Sequence, residues 1–163
     1  LFEMVGGKWN GEIPVIGYKP ESKEIFDIGF NFNVGDKWPI KAWPMEYWKE
    51  LEAIIGGKHT ISWQQGLKSI EEYIEWVNSC SLLVTNDSLG LHIAHALDKR
   101  IVALFGPTLS NEVFVKRGVK LLPEKEYDCL PCLSTVCMKE RPCMYEIKPA
   151  TVFAEIEKLL AER

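Results

Sequence analysis

The residues best suited to chemistry lie in a few short stretches. In Thr85-Asn86-Asp87-Ser88-Leu89-Gly90-Leu91-His92 an apolar run breaks into a polar turn and then into a small-residue helix, Ile93-Ala94-His95-Ala96-Leu97. A helix that starts at the carboxyl end of a parallel strand presents unpaired backbone N–H groups and a positive dipole end, the arrangement that binds a phosphate. Ser88 and the backbone amides of Leu89, Gly90 and Leu91 therefore suit a diphosphate. Asp87 is an acceptor only and suits sugar hydroxyls. Gly90 permits close backbone approach, and His92 stands near the positive helix end. The plain alternative is that Asp87 or Ser88 is simply the N-cap this helix needs. His95 reads as a core or interhelical residue, because the pair His92 and His95 lacks the further ligand a metal would require.

Lys41 lies in Trp38-Pro39-Ile40-Lys41-Ala42-Trp43-Pro44. A lysine there supplies a mobile point charge for a phosphate, against the default of a solvated surface cation. Trp38 and Trp43 read as packing rather than as stacking platforms. The amides of Trp63-Gln64-Gln65-Gly66 can read a base or a ribose, and Gly106-Pro107-Thr108 is a tight turn that presents a hydroxyl. Cys129, Cys132, Cys137 and Cys143 fall in one segment with C-x2-C-x4-C-x5-C spacing, apart from the isolated Cys80. In a cytosolic chain this cluster reads as a structural zinc site or as free thiols ahead of disulfides, and four thiolates would leave such a zinc no open position for chemistry.

These stretches need a scaffold that brings them to one edge. Ile25–Phe32 alternates apolar with small or polar residues and predicts a strand, and a shorter one is expected near Val15–Tyr18. Pro44 opens a helix with Tyr47, Leu51, Ile54 and Ile55 at helical spacing, ended by Gly56-Gly57. His59–Trp63 follows as a strand. Ser69 and Glu72 form a capping box for a helix that buries Ile70, Tyr73, Ile74 and Val77. Strand 81–85, the polar turn, helix 91–97 and strand 100–105 come next, then a weaker strand over Val119–Leu122 and a helix over Ala150–Leu160. Alternating helices and near-continuous apolar strands predict a Rossmann-like, doubly wound parallel α/β sheet. A connecting segment is expected over 1–24 and the domain over 25–163, including the cysteine segment 129–143 and a terminal helix over 149–162.

The 163 residues carry a formal net charge of -4, with 47% apolar and 26% charged residues, an ordinary globular mix. No basic stripe suits a nucleic-acid backbone, and no apolar run reaches the roughly 18 residues of a membrane span. The expected location is the cytoplasm, at most peripheral to the inner membrane. The start at Leu1-Phe2-Glu3-Met4-Val5 reads as a cut from something longer. The dinucleotide fingerprint, the P-loop and the G-x-S-x-G elbow are all absent, which disfavours classical dehydrogenases, P-loop nucleotidases and serine hydrolases.

From Ile25 to Leu159 the chain resembles the lipopolysaccharide heptosyltransferase family, glycosyltransferase family nine, in its C-terminal nucleotide-sugar-binding half. Residues 86–92 are similar to the family's D-[ST]-G-x-x-H signature, and Val102–Thr108 to its [VL]-x-[LI]-[FY]-G-P-T signature. Residues 38–44 look like the W-P-x-K-x-W-P loop, and Cys129-Leu130-Pro131-Cys132 with Cys143-Met144 like the C-x-P-C and C-M elements of many members. Leu89 departs from the glycine usual at that place.

The resemblance implies a GT-B fold, a donor of the ADP-heptose kind, and metal-independent displacement at the anomeric carbon with inversion and no cofactor. It assigns Lys41 and Asp87 as the catalytic pair, with Lys41 at the phosphates and Asp87 at the sugar. Ser88, Leu89, Gly90 and Leu91 would hold the diphosphate, and His92 and Thr108 would surround the leaving group. It also implies a glycan or lipid-linked acceptor, bound with the general base through an N-terminal domain that this chain lacks. The competing readings are a non-catalytic nucleotide- or protein-binding module with a zinc cluster and, more remotely, a sugar-nucleotide epimerase.

Overall fold

Strand residues with apolar side chains on both faces form the centre of the molecule. In the computed structural model, which describes residues 14–125, 127–132 and 134–162 together with Gly6, Lys8 and Glu12, five strands form one sheet. They are β1 (Phe26–Asn31), β2 (Ile61–Trp63), β3 (Cys80–Asn86), β4 (Arg100–Leu104) and β5 (Gly118–Leu121). Every pairing is parallel and the order is β2-β1-β3-β4-β5. Helices α1 (Met45–Ile55) and α4 (Pro149–Ala161) cover one face, and α2 (Ile70–Asn78) and α3 (Leu89–Ala96) cover the other. Alternation along each strand divides the core between them. Ile28, Phe30, Leu82, Val84, Val102 and Leu104 pack with α1 and α4, while Leu83, Ile101, Ala103 and Phe105 pack with α2 and α3.

The helix boundaries follow from local chemistry. Pro44 precedes α1, and Gly56 ends it in the left-handed region (φ 57°), donating its N–H to the Glu52 carbonyl at 3.1 Å. The Ser69 hydroxyl accepts the Glu72 N–H at 3.1 Å and starts α2, and Pro149 sits in the first turn of α4. Two expected core positions face solvent instead: Ile54 is 38% and Ile70 46% exposed. The buried stripe of α1 is Trp48, Leu51 and Ile55, and that of α2 gains Trp76. Ile70 is the first residue of its helix.

The strand expected at Val15–Tyr18 is not formed. That segment is an irregular tie against α2, with the Tyr18 hydroxyl donating to Glu75 at 2.6 Å and the N–H groups of Glu21 and Ser22 donating to the same carboxylate at 3.0 and 2.8 Å. A single carboxylate takes up those backbone donors and no neighbouring strand is required. Residues 1–5, 7, 9–11 and 13 of the expected connecting segment lie outside the described residues. None of the described helices is long and apolar enough to cross a membrane.

Candidate functional site

In a sheet of order 2-1-3-4-5 the chain leaves β1 and β3 in opposite directions, and the loops after these two strands part to leave a crevice at their carboxyl ends. Lys41 comes from the loop after β1, Asp87 follows β3, and Thr108 follows β4. The three side chains meet. Lys41 Nζ lies 2.7 Å from Asp87 Oδ2, and the Thr108 hydroxyl donates to the same oxygen at 2.7 Å. Their setting is partly desolvated, with the Lys41 and Asp87 side chains 19% and 14% exposed. The Lys41 ammonium also stands 5.6 Å from the centre of the Trp38 ring, a cation–π contact that keeps the long side chain over the crevice.

Lys41 is held by the backbone around it. Pro39–Lys41 forms a short 3-10 turn, closed by the Ala42 N–H to the Pro39 carbonyl at 3.0 Å. Trp43 then anchors the loop in the core, donating its indole N–H to the Ile147 carbonyl at 2.9 Å. Its backbone N–H goes to Asn86 Oδ1 at 2.9 Å, while Asn86 Nδ2 donates to the Phe32 carbonyl at 2.8 Å. Asn86 is fully buried and adjoins Asp87, so one side chain joins the ends of β1 and β3 to the lysine loop.

A second buried asparagine does the same beneath α3. Asn31 Nδ2 donates to Thr85 Oγ1 at 2.7 Å and to Ser88 Oγ at 2.8 Å, and Asn31 Oδ1 accepts the Tyr73 hydroxyl at 2.5 Å. Burial pushes the Tyr73 phenol up to about 12, which keeps it a donor. Neither Asn31, Asn86 nor Tyr73 was singled out for the site from sequence. The available signal was a polar residue ending each apolar strand, in Phe26-Asp27-Ile28-Gly29-Phe30-Asn31 and Leu82-Leu83-Val84-Thr85-Asn86.

The N-cap alternative for Asp87 and Ser88 is corrected by these bonds. Ser88 occupies the N-cap position of α3, but no side chain caps the helix. Its hydroxyl is taken by Asn31, and Asp87 is taken by Lys41 and Thr108. The α3 start therefore keeps its positive end without a side-chain cap. Gly90 is required from beneath, because a Cβ there would come within 2.4 Å of both Asn31 Nδ2 and the Tyr73 hydroxyl. Leu91 is buried, Leu89 is 56% exposed, and His92 faces solvent. His95 is in the core as expected, 5.7 Å from the Phe114 ring, with its pKa lowered by burial and by the nearby His92.

The amides after β2 serve the fold. Gln64 donates to the Tyr73 hydroxyl at 3.2 Å and accepts the Asn33 N–H at 2.9 Å, while the exposed Gln65 donates to Ser62 Oγ at 3.3 Å. The cysteines of the late segment are free. Among the described residues no group of three or more His, Cys, Asp or Glu is placed to hold a metal ion. The segment also supports the turn after β4. The Cys132 N–H donates to the Pro107 carbonyl at 3.0 Å, and a Cβ on Gly106 would meet Met144 Sδ at 2.4 Å and Cys143 Sγ at 3.0 Å.

Residues 66–142 match the model of glycosyltransferase family 9 (heptosyltransferase). Lipooligosaccharide heptosyltransferase 2 of Campylobacter jejuni subsp. jejuni serotype O:6 is 36% identical over 83 residues, covering 49% of this chain and 26% of that protein. The protein of the same name from Haemophilus influenzae is 40% identical over 43 residues, 26% of this chain and 12% of that one. Among solved structures, E. coli ADP-heptose LPS heptosyltransferase II superposes with a TM-score of 0.63 at 19% identity, covering 88% of this chain and 48% of that one. The iron-containing dodecameric glycosyltransferase TibC from enterotoxigenic E. coli gives 0.65 at 15%, covering 94% and 48%. The chain thus spans about half the length of these structures, and the matched segment about a quarter of the Campylobacter relative.

The fold is that of one Rossmann-like unit of a GT-B glycosyltransferase. Over residues 66–142 the chain is similar in sequence to glycosyltransferase family 9 and to lipooligosaccharide heptosyltransferases. The matched segment carries Asp87, α3, Thr108 and most of the cysteine segment. Lys41 lies outside it and joins the site by geometry.

Proposed function

We propose that the chain is the donor-binding, C-terminal half of a glycosyltransferase that moves a heptose-like sugar from a nucleoside diphosphate onto a lipopolysaccharide or other cell-surface glycan. The observation that carries this reading is the meeting of Lys41, Asp87 and Thr108 at the switch point, beside a helix start that no side chain caps. Two neighbours are described with ADP-heptose or a fluoro analogue of it, which supports a donor of that chemistry.

In the proposed reaction an acceptor hydroxyl attacks the anomeric carbon as the bond to the diphosphate oxygen breaks. The configuration inverts and the nucleoside diphosphate departs. The acceptor's proton goes to a carboxylate of a partner domain. Lys41 and the α3 amides neutralise the charge that builds on the leaving group, and Asp87 orients the sugar through its hydroxyls. No metal takes part in this step. The cysteine segment serves as a strut for the Gly106–Thr108 turn, and stoichiometric zinc in protein purified without chelator would overturn that assignment. The proposed location is the cytoplasm.

Calorimetry on the full-length protein tests the reading. ADP is expected to bind, and Lys41→Ala to weaken it by about tenfold, the loss of one charge-assisted contact of about 1.5 kcal/mol. Absence of binding by either ADP or ADP-heptose to folded wild-type protein would overturn it.

A further inference from the structure

The polar network beneath α3 has a direction, and backbone groups fix that direction at both ends. At one end the Asn33 N–H donates to Gln64 Oε1 at 2.9 Å. A backbone N–H only donates, so Gln64 presents its oxygen there and its NH2 group to the other side, where Nε2 donates to the Tyr73 hydroxyl at 3.2 Å. The phenol oxygen has thereby accepted, and its hydrogen goes to Asn31 Oδ1 at 2.5 Å. Asn31 must then turn its NH2 group the other way, and Nδ2 donates to Thr85 Oγ1 at 2.7 Å and to Ser88 Oγ at 2.8 Å. At the far end the Thr85 hydroxyl donates to the Asn86 carbonyl at 2.8 Å, a group that only accepts. Thr85 Oγ1 is left to accept from Asn31. The two backbone anchors thus require the same orientation of every side chain between them.

One hydrogen at this end is left over. The Asn31 amide, the Tyr73 phenol and the Thr85 hydroxyl all spend their hydrogens inside the network, whereas Ser88 Oγ receives a hydrogen and keeps its own. Among the described residues nothing accepts that hydrogen, and the hydroxyl does not cap α3. A serine at the N-cap ordinarily turns its oxygen to the first free N–H groups of the helix, which would close the helix start to an anion. Asn31 occupies the oxygen from beneath and prevents it. Burial keeps the Tyr73 phenol protonated up to about 12, so the donor that orients Asn31 persists at neutral pH.

We infer that Tyr73 and Asn31 are positioning residues, which hold Ser88 as a hydrogen-bond donor and keep it from capping α3, so that its hydroxyl and the helix N–H groups are offered together to a phosphoryl oxygen. The inference rests on the donor-binding reading above. Neither residue acts on the ligand except through Ser88. Without the phenol hydroxyl, Asn31 Oδ1 has no donor and the amide turns over. Its oxygen then faces Thr85 and Ser88, and the Ser88 hydrogen is drawn inward.

The test is a double-mutant cycle on the full-length protein, with Tyr73→Phe, Ser88→Ala and the two together, read by calorimetry with ADP. Each change removes one oxygen and no carbon, and thermal unfolding shows that the variants are folded. Ser88→Ala should weaken ADP about tenfold and Tyr73→Phe by about the same factor, the range of one hydrogen bond to a charged group. Beside Ser88→Ala, the change Tyr73→Phe should alter ADP affinity by less than about twofold, because the hydrogen it redirects is already gone. Equal weakening by Tyr73→Phe in both backgrounds overturns the inference, since the phenol would then act on α3 as a whole. Unchanged affinity in either single variant overturns it too. In each of these cases wild-type protein still binds ADP and the donor-binding reading stands. Wild-type protein that binds neither ADP nor ADP-heptose removes that reading and the inference with it.

Discussion

The two ends of the sheet's carboxyl edge are built in different ways. At the β1–β3 end, regular elements converge on two buried asparagines, and each bond they make has a partner in a strand, a helix or the lysine loop. At the β5 end, the described residues of 122–148 hold only one short 3-10 turn, Cys143–Glu146, and many of them are exposed. The first end fixes the position of two charges to within a hydrogen bond. The second end supplies a wide cavity whose lining is mostly loop. Loops of this kind can change residue without disturbing the sheet.

The largest effect is expected at the fixed end. In the full-length enzyme, Lys41→Ala should lower kcat for transfer by about 10²–10³-fold, the usual cost of removing one preorganised electrostatic contact to a leaving group. Lys41→Arg should restore little, since a planar fork does not replace a point charge at the same place. Initial-rate measurements decide it. A variant with wild-type kcat would remove Lys41 from the chemistry and reduce its pairing with Asp87 to a structural bond.

Asn86→Ala comes next and separates positioning from folding. It leaves the buried Trp43 N–H and the part-buried Phe32 carbonyl without this partner, a loss of about 2–4 kcal/mol read by denaturant unfolding. Thr135→Ala, at an exposed position in the loop-built end, should cost less than about 0.5 kcal/mol. Comparable losses at the two sites would break the contrast.

The legibility of the sequence follows the same contrast. The sheet, its parallel pairing and the convergence of Lys41, Asp87 and Thr108 were readable because strand periodicity and turn residues report on local structure and on topology. The reason for Gly90 was not readable, since it depends on Asn31 and Tyr73, which are distant in sequence and meet only in the fold. Ser88 illustrates the same limit. Its type and place fit an N-cap, but a buried amide from β1 takes its hydroxyl. The cysteine spacing is that of a four-thiolate site and Cys129, Cys132 and Cys137 do neighbour Cys143, but spacing does not report that the segment also packs against Pro107 and Gly106.

Thiol chemistry sharpens the comparison on a smaller scale. Burial, and after it the neighbouring Cys132, Cys137 and Cys129, push the Cys143 thiol up to about 11, and burial does the same for Cys80. Alkylation at pH 8 should therefore modify the partly exposed Cys129, Cys132 and Cys137 first, with Cys143 and Cys80 more than tenfold slower. Mass spectrometry of a time course gives the order, and early labelling of Cys143 would show that the loop-built end opens more readily than its packing on Met144 and Gly106 allows.

The smallest effect concerns the tie on the α2 face, away from both ends. The Tyr18 hydroxyl, followed by Ser22 and the backbone N–H of Glu21, holds the Glu75 carboxylate at about 2 instead of its ordinary 4.5. A lowered folded-state pKa means that the stabilisation is complete above about pH 4.5 and is lost as pH falls toward 2. Tyr18, raised to about 12 by the same contact, gives the opposite sign: its contribution is complete below about pH 10 and is lost as pH rises through 12. The amide resonances of Glu21 and Ser22 should therefore shift with an apparent midpoint near pH 2, and Glu75→Gln should abolish that titration. Because Glu75 is partly exposed and touches neither Asn31 nor Asn86, nucleotide affinity at neutral pH should be unchanged by Glu75→Gln. A midpoint near the ordinary 4.5 would mean that the 15–24 segment detaches freely in solution, and a loss of nucleotide affinity would mean that the fixed end of the sheet depends on this distant tie as well as on its two asparagines.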